Sequence, residues 1–123
     1  MNCAFCSLPE DKIIVRNDSF IAINDALPVK PGHILIISQR HAETIFDLSE
    51  QEFCQLHNII HQVKEHLENK HKPDGYNIGA NSGSIAGQTV HHFHLHIIPR
   101  YKKDHKFGFI KNTVRNLREY HLE

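Results

Sequence analysis

This chain predicts an α+β domain: a mostly antiparallel five-stranded sheet with one long helix and short helices. Three observations carry the prediction. Five short segments rich in β-branched and apolar residues are spread along the sequence, a single long amphipathic segment lies between the third and the fourth, and turn-forming residues separate them all. Strands, then one helix, then strands is an order that places the helix across an antiparallel sheet.

Ile13 to Val15 and Phe20 to Ile23 read as strands joined by Arg16-Asn17-Asp18-Ser19, an early hairpin. Asp25 to Gly32, with Pro28 and Pro31, reads as a loop, and His33-Ile34-Leu35-Ile36-Ile37 as a central strand. Ser49 caps the long helix, with Glu52 closing a capping box. Phe53, Leu56, Ile60, Val63 and Leu67 then recur at spacings of three and four, and Pro73-Asp74-Gly75 ends the run after His71. Tyr76 to Ala80 forms the next strand, and Asn81 to Gly87, rich in Gly, Ser and Asn, leads as a loop into a last strand over His92 to Ile98. Asp104 to Glu123 carries mixed signals, with a short helix predicted over Val114 to Tyr120.

At 123 residues the chain is expected to fold as a single domain over 1–123. Fourteen basic residues balance fourteen acidic ones, which argues against holding long nucleic acid by charge and leaves a small nucleotide as the expected kind of ligand. No apolar run is long enough for a membrane span, and MNCAFCSLPEDK lacks the pattern of a secretory signal, so a cytoplasmic protein is expected. Three cysteines, Cys3, Cys6 and Cys54, argue against a disulfide framework and for reduced thiols or a metal site.

The densest chemistry lies in Gln88-Thr89-Val90-His91-His92-Phe93-His94-Leu95-His96-Ile97-Ile98-Pro99-Arg100, where four of the twelve histidines fall within six positions. Successive strand side chains point to opposite faces, so His92, His94 and His96 share one face and Phe93, Leu95 and Ile97 the other. Residues two apart on a strand lie about 6.5 to 7 Å apart, close enough to act together on a phosphate or to bind a metal. Both uses stay open on spacing alone. Cys3-x-x-Cys6 supplies two zinc ligands at ordinary spacing, and a closed site needs two more. His57, His61, His66 and His71 lie along the helix as surface or rim residues, His91 points away from the row, and Cys54 reads as a free thiol.

The run His92-Phe93-His94-Leu95-His96-Ile97-Ile98 resembles the signature of the histidine-triad (HIT) family, and Ala86-Gly87-Gln88-Thr89-Val90 resembles that family's approach to it. The resemblance extends to the early Cys-x-x-Cys, the Asn24-Asp25 before a proline loop, Pro31-Gly32-His33 before an apolar strand, and His41 after it. It is strongest toward zinc-containing, Hint-like and bacterial-type members. The implied fold is HIT-like, and the implied activity is hydrolysis or nucleotidyl transfer at the α-phosphate of nucleoside phosphoramidates, other nucleotidyl conjugates or dinucleoside polyphosphates.

Residue by residue, the resemblance implies a catalytic set of His92, His94 and His96, with His94 attacking phosphorus to form a nucleotidyl-histidine and His96 bonding the phosphate. It places Gln88 and Thr89 at the phosphate or departing group, Asn81 near the phosphate, Asp25 on the ribose hydroxyls, and Phe5, Leu8 and Ile23 around the base. It implies a structural zinc on Cys3, Cys6, His41 and His92, with no cofactor needed for the chemical step, and a homodimer paired through the long helix and a sheet edge. His33 is expected to be structural. The phosphoramidase branch carries a C-terminal tryptophan segment; this chain has no tryptophan, so leaving-group preference does not carry over. His96 stands where the galactose transferase branch has glutamine and so favours hydrolysis. Three readings follow: a nucleotidyl hydrolase, a nucleotide-binding regulatory module with incidental turnover, and a metalloprotein whose row holds a catalytic metal.

Overall fold

The computed structural model describes residues 3–104. The elements are β1 (Ile13–Arg16), β2 (Phe20–Asn24), β3 (Ile34–Ser38), α1 (Glu50–Lys70), β4 (Gly75–Gly79) and β5 (His94–Arg100), with 3-10 turns at Glu10–Lys12, Ile45–Asp47, Ser84–Ala86 and Lys102–Asp104. One five-stranded sheet has the order β1-β2-β3-β5-β4, with every pair antiparallel. The predicted α+β class and its five strands are what the molecule has. The helix predicted over Val114 to Tyr120 lies outside the described residues.

Helix α1 begins where its caps direct. The Ser49 hydroxyl accepts from the Glu52 N–H and the Glu52 carboxylate accepts from the Ser49 N–H, which satisfies donors the first turn leaves open. The Arg40 guanidinium also grips Glu52, at 2.8 and 3.1 Å, and holds its carboxyl down at about 2. The buried stripe is Leu56, Ile59, Val63 and Leu67. Here the structure corrects the sequence reading: Ile59 is fully buried, Ile60 only flanks the core, and Phe53 is 45% exposed. A stripe at i, i+3, i+7 and i+11 is narrower than the apolar pattern, and the sheet takes the residues in phase with it.

The sheet faces two ways. Phe20, Ala22, Ile34, Ile36, Phe93, Leu95 and Ile97 pack with α1 in the main core. On the opposite face Ile21, Ile23, Leu35 and Ile37 are covered in part by Phe5, Leu8 and Ile13. The alternation read from the sequence is therefore real, and the histidines belong to this second face. Pro99 lies in β5, a central strand, yet β3 pairs with β5 only from Ile37↔His94 to Ile34↔Ile97, so the proline falls past the end of that ladder. Gly32 sits beside it at φ +91°, where a Cβ would come within 3.1 Å of Pro99 and of Leu67 and 3.0 Å of His71. Glycine is the residue this turn requires. Among the described residues no helix is long and apolar enough to cross a membrane.

Candidate active site and metal centre

Register builds the site. Ile37↔His94 and Leu35↔His96 set the two imidazoles beside aliphatic side chains of the central strand, and Gly79, opposite His96 on β4, adds no side chain there. The rings of His94 and His96 stand 5.2 Å apart. His92 precedes the strand proper and is completely buried, whereas His94 and His96 are half-exposed. The row thus has a closed end and an open end.

His92 closes it. Its Nε2–H donates to the carbonyl of Ser38 at 2.7 Å, which leaves the Nδ1 lone pair facing away from the sheet. That Nδ1 lies 3.1 Å from His41 Nδ1 and 3.4 and 3.5 Å from the sulfurs of Cys3 and Cys6, and Cys6 Sγ is 3.0 Å from His41 Nδ1. All four ligand atoms fall within 4.8 Å of one another. Zinc bound tetrahedrally to two thiolates and two imidazoles separates its donors by roughly 3.3 to 3.8 Å, so this set, slightly contracted, fits the ion. A carbonyl that fixes the outer ring nitrogen is the usual second partner of a zinc-bound histidine. The loop carrying His41 is pinned on both sides: Ser38 Oγ donates to Arg40 O at 2.7 Å, Arg40 Nη2 to Asp47 O at 2.7 Å, and Phe93 N to Ala42 O at 2.6 Å.

At the centre, His94 Nδ1–H donates to the backbone carbonyl of His92 at 2.8 Å. Its Nε2 lone pair is therefore free on the open face. The Phe5 ring packs T-shaped with it, centres 5.2 Å apart and planes at 75°.

The open end holds a contact that sequence reasoning missed. His33 accepts the Val29 N–H at Nδ1, 3.0 Å, so its proton sits on Nε2, which faces His96 Nδ1 at 3.0 Å and Asp25 Oδ2 at 3.3 Å. His96 accepts through Nδ1 and therefore presents an Nε2–H. Burial, then the neighbouring His94 and His33, push the His96 pKa down to about 4; burial also lowers that of His33. A neutral ring that donates suits an oxygen of a phosphate without adding charge. Asp25 Oδ1 meanwhile accepts from Leu27 N at 3.0 Å.

Asp25 also lines a cavity of about 690 Å³, with Phe5, Leu8, Ile23, Asn24, Ile13 and Leu35, within the range of about 300 to 1,000 Å³ typical of small-molecule sites. The four residues that the resemblance assigned to ribose and base therefore share one concavity, reached from the row through Phe5 and Asp25. The loop before the row is arranged differently. Gln88 is buried, and its amide is spent on backbone: Oε1 accepts from Gly83 N at 2.8 Å, and Nε2 donates to Glu43 O at 2.7 Å and Val90 O at 3.1 Å. Its side chain shapes the loop, with both amide N–H groups committed to backbone carbonyls. Thr89 is exposed beside a second cavity lined by Cys3, His41, Glu43 and His91, and Asn81 donates to Gly87 O at 3.3 Å. Replacing Gln88 with alanine strands three backbone groups, so unfolding stability is expected to drop by about 2 to 3 kcal/mol, read as a shifted urea midpoint at unchanged slope.

A HIT domain model matches residues 9–103. The chain belongs to the HIT family. An uncharacterized HIT-like protein of Mycoplasma genitalium is 37% identical over 124 aligned positions, covering 96% of this chain and 88% of that protein. Other HIT relatives carry activities in their names: the adenosine 5'-monophosphoramidase of Schizosaccharomyces pombe, 30% identical over 88% of this chain and 81% of its own length, and the asymmetrical bis(5'-nucleosyl)-tetraphosphatase of the same yeast, 37% identical over 76% of this chain and 51% of its own. Among solved structures, a HIT protein of Bacillus subtilis superposes with a TM-score of 0.82 at 29% identity, covering 98% of this chain and 86% of that one. A zinc-bound histidine triad protein of Mycobacterium smegmatis gives 0.70 at 31% identity, covering 79% and 70%.

Proposed function

We propose that this HIT protein is a nucleotidyl hydrolase that splits nucleoside phosphoramidates or related nucleotidyl conjugates at the α-phosphorus through a covalent intermediate on His94. The observation that carries this reading is the orientation of the His94 ring: its Nδ1–H is given to a backbone carbonyl and its Nε2 lone pair is free at the open face, beside a cavity of nucleoside size. Hydrolase names among the relatives support the class of reaction.

In this mechanism Nε2 of His94 attacks phosphorus, a phosphorus–nitrogen bond forms, and the bond to the leaving group breaks as the departing atom takes up a proton. Water then attacks the nucleotidyl-histidine, and the nucleoside monophosphate leaves with His94 regenerated. His96 Nε2–H donates to a phosphate oxygen as charge accumulates there, in a ring held by His33. Asp25, an acceptor only, takes the ribose hydroxyls, while Phe5, Leu8 and Ile23 bury the base. Cys3, Cys6, His41 and His92 would hold zinc, whose chemistry there is that of a structural cross-link.

The test is a panel of adenosine and guanosine phosphoramidates, acyl-adenylates and dinucleoside polyphosphates compared by kcat/KM. Absence of turnover across the panel with intact AMP binding would instead select a regulatory module. His33→Ala is expected to lower kcat about 10- to 100-fold, the scale of losing the partner that orients a functional imidazole, with zinc content unchanged. We propose in addition a homodimer with two equivalent sites; light scattering that stays at 14.2 kDa through micromolar concentrations speaks against it.

A further inference from the structure

The N-terminal segment has an unusual attachment. Within the turn, Cys6 N donates to Cys3 O at 3.1 Å. Among the described residues, the hydrogen bonds that join residues 3–8 to the rest of the molecule all run through the two sulfurs, to His41 and His92. No ladder ties this stretch to the sheet, and Phe5 and Leu8 are only half-buried. Phe5 sits between the two cysteines in sequence, with its ring centre 5.2 Å from that of His94 and 6.1 Å from that of His92, both pairs T-shaped, and it lines the cavity. His92 itself gives its side chain to the cluster and its carbonyl to the His94 Nδ1–H. Of the groups around the His94 imidazole, the carbonyl at its Nδ1 therefore belongs to a metal ligand and the Phe5 ring to the metal-binding turn.

We infer that Phe5 is a positioning residue for His94 as well as a wall of the nucleoside cavity, and that metal held by Cys3, Cys6, His41 and His92 governs this site by keeping Phe5 in place. The inference rests on the function proposed above. The main core, built from β2, β3, β5 and α1, contains neither Phe5 nor Leu8. Removing the metal leaves that core packed, while the turn keeps only two half-buried side chains to offset the ordering entropy of its backbone. The wall then opens and the nucleophile's ring loses its stop, with the sheet still folded.

The experiment compares full-length zinc-loaded protein with protein stripped by a chelator, both followed by circular dichroism. Lys12, the first basic residue of the chain, makes trypsin a reporter on the turn: stripping is expected to open cleavage there while the helical signal persists. AMP affinity by calorimetry is expected to weaken about tenfold, the scale of one lost base–aromatic stack. Phe5→Ala, kept zinc-loaded, should retain metal stoichiometry and the helical signal, lose a similar factor in AMP affinity and lower kcat, and Phe5→Tyr should restore both. Equal trypsin cleavage in the two forms, loss of the helical signal on stripping, or wild-type affinity and kcat in Phe5→Ala overturns the inference. Loaded wild-type protein that neither binds AMP nor turns over any conjugate sinks the proposed function instead, and the trypsin comparison still decides whether metal holds the turn.

Discussion

His94→Ala is expected to lower kcat by about four to six orders of magnitude, the range seen when a covalent nucleophile is deleted, while AMP affinity changes by no more than a few-fold. The asymmetry follows from what the ring does. In the proposed mechanism its Nε2 bonds phosphorus only along the reaction path, whereas the cavity lined by Phe5, Leu8, Ile23 and Asp25 would hold the nucleoside in ground state and transition state alike. Wild-type protein quenched during turnover of a labelled substrate should carry an acid-labile, base-stable nucleotidyl group on His94. With substrate chiral at phosphorus, two successive displacements return the original configuration. Near-normal turnover by the alanine variant, or net inversion, rules the covalent route out.

The second large effect belongs to the metal. Purified protein is expected to hold about one zinc per chain by elemental analysis, and Cys3→Ser to bring this close to zero, because three remaining donors leave a closed tetrahedral site incomplete. Ion present at about 100 times its dissociation constant stabilises the folded state by about 2.7 kcal/mol. The variant's Tm is therefore expected to fall by roughly 10 to 15 °C. Stoichiometric zinc that survives replacement of both Cys3 and Cys6 would place the ion elsewhere, and among the described residues the grouping of Asp25, His33 and His96 is the other set whose ligand atoms converge.

What could be read from the sequence divides along the range of the interaction. Ser49 and Glu52 lie three residues apart, so the start of α1 is written locally, as is the i, i+2 spacing of His94 and His96. Half of the metal set is local as well, in Cys3 and Cys6; His41 and His92 entered through family resemblance, and the structure brings all four together. The contacts that escaped are between distant segments. His33 was expected to be merely structural because its link to His96 depends on the β3–β5 register, which sequence alone does not give. Nothing local reveals that Gly83 and Glu43 close over the Gln88 amide either. Ile59 displaced Phe53 from the core because a broad apolar pattern does not state which phase meets the sheet.

The place of β5 in the sheet, with β3 on one side and β4 on the other, bears on how the molecule loses activity. Strands paired on both flanks exchange their amide hydrogens mainly through global opening, whereas loops and edges exchange through local fluctuations. Amides around His96, where Leu35 and Gly79 pair from opposite sides, should therefore be among the slowest to pick up deuterium. The imidazoles are mounted on the stretch that comes apart last. Heat should accordingly produce no transition, ahead of cooperative unfolding, in which the His94–His96 spacing is lost while the sheet survives.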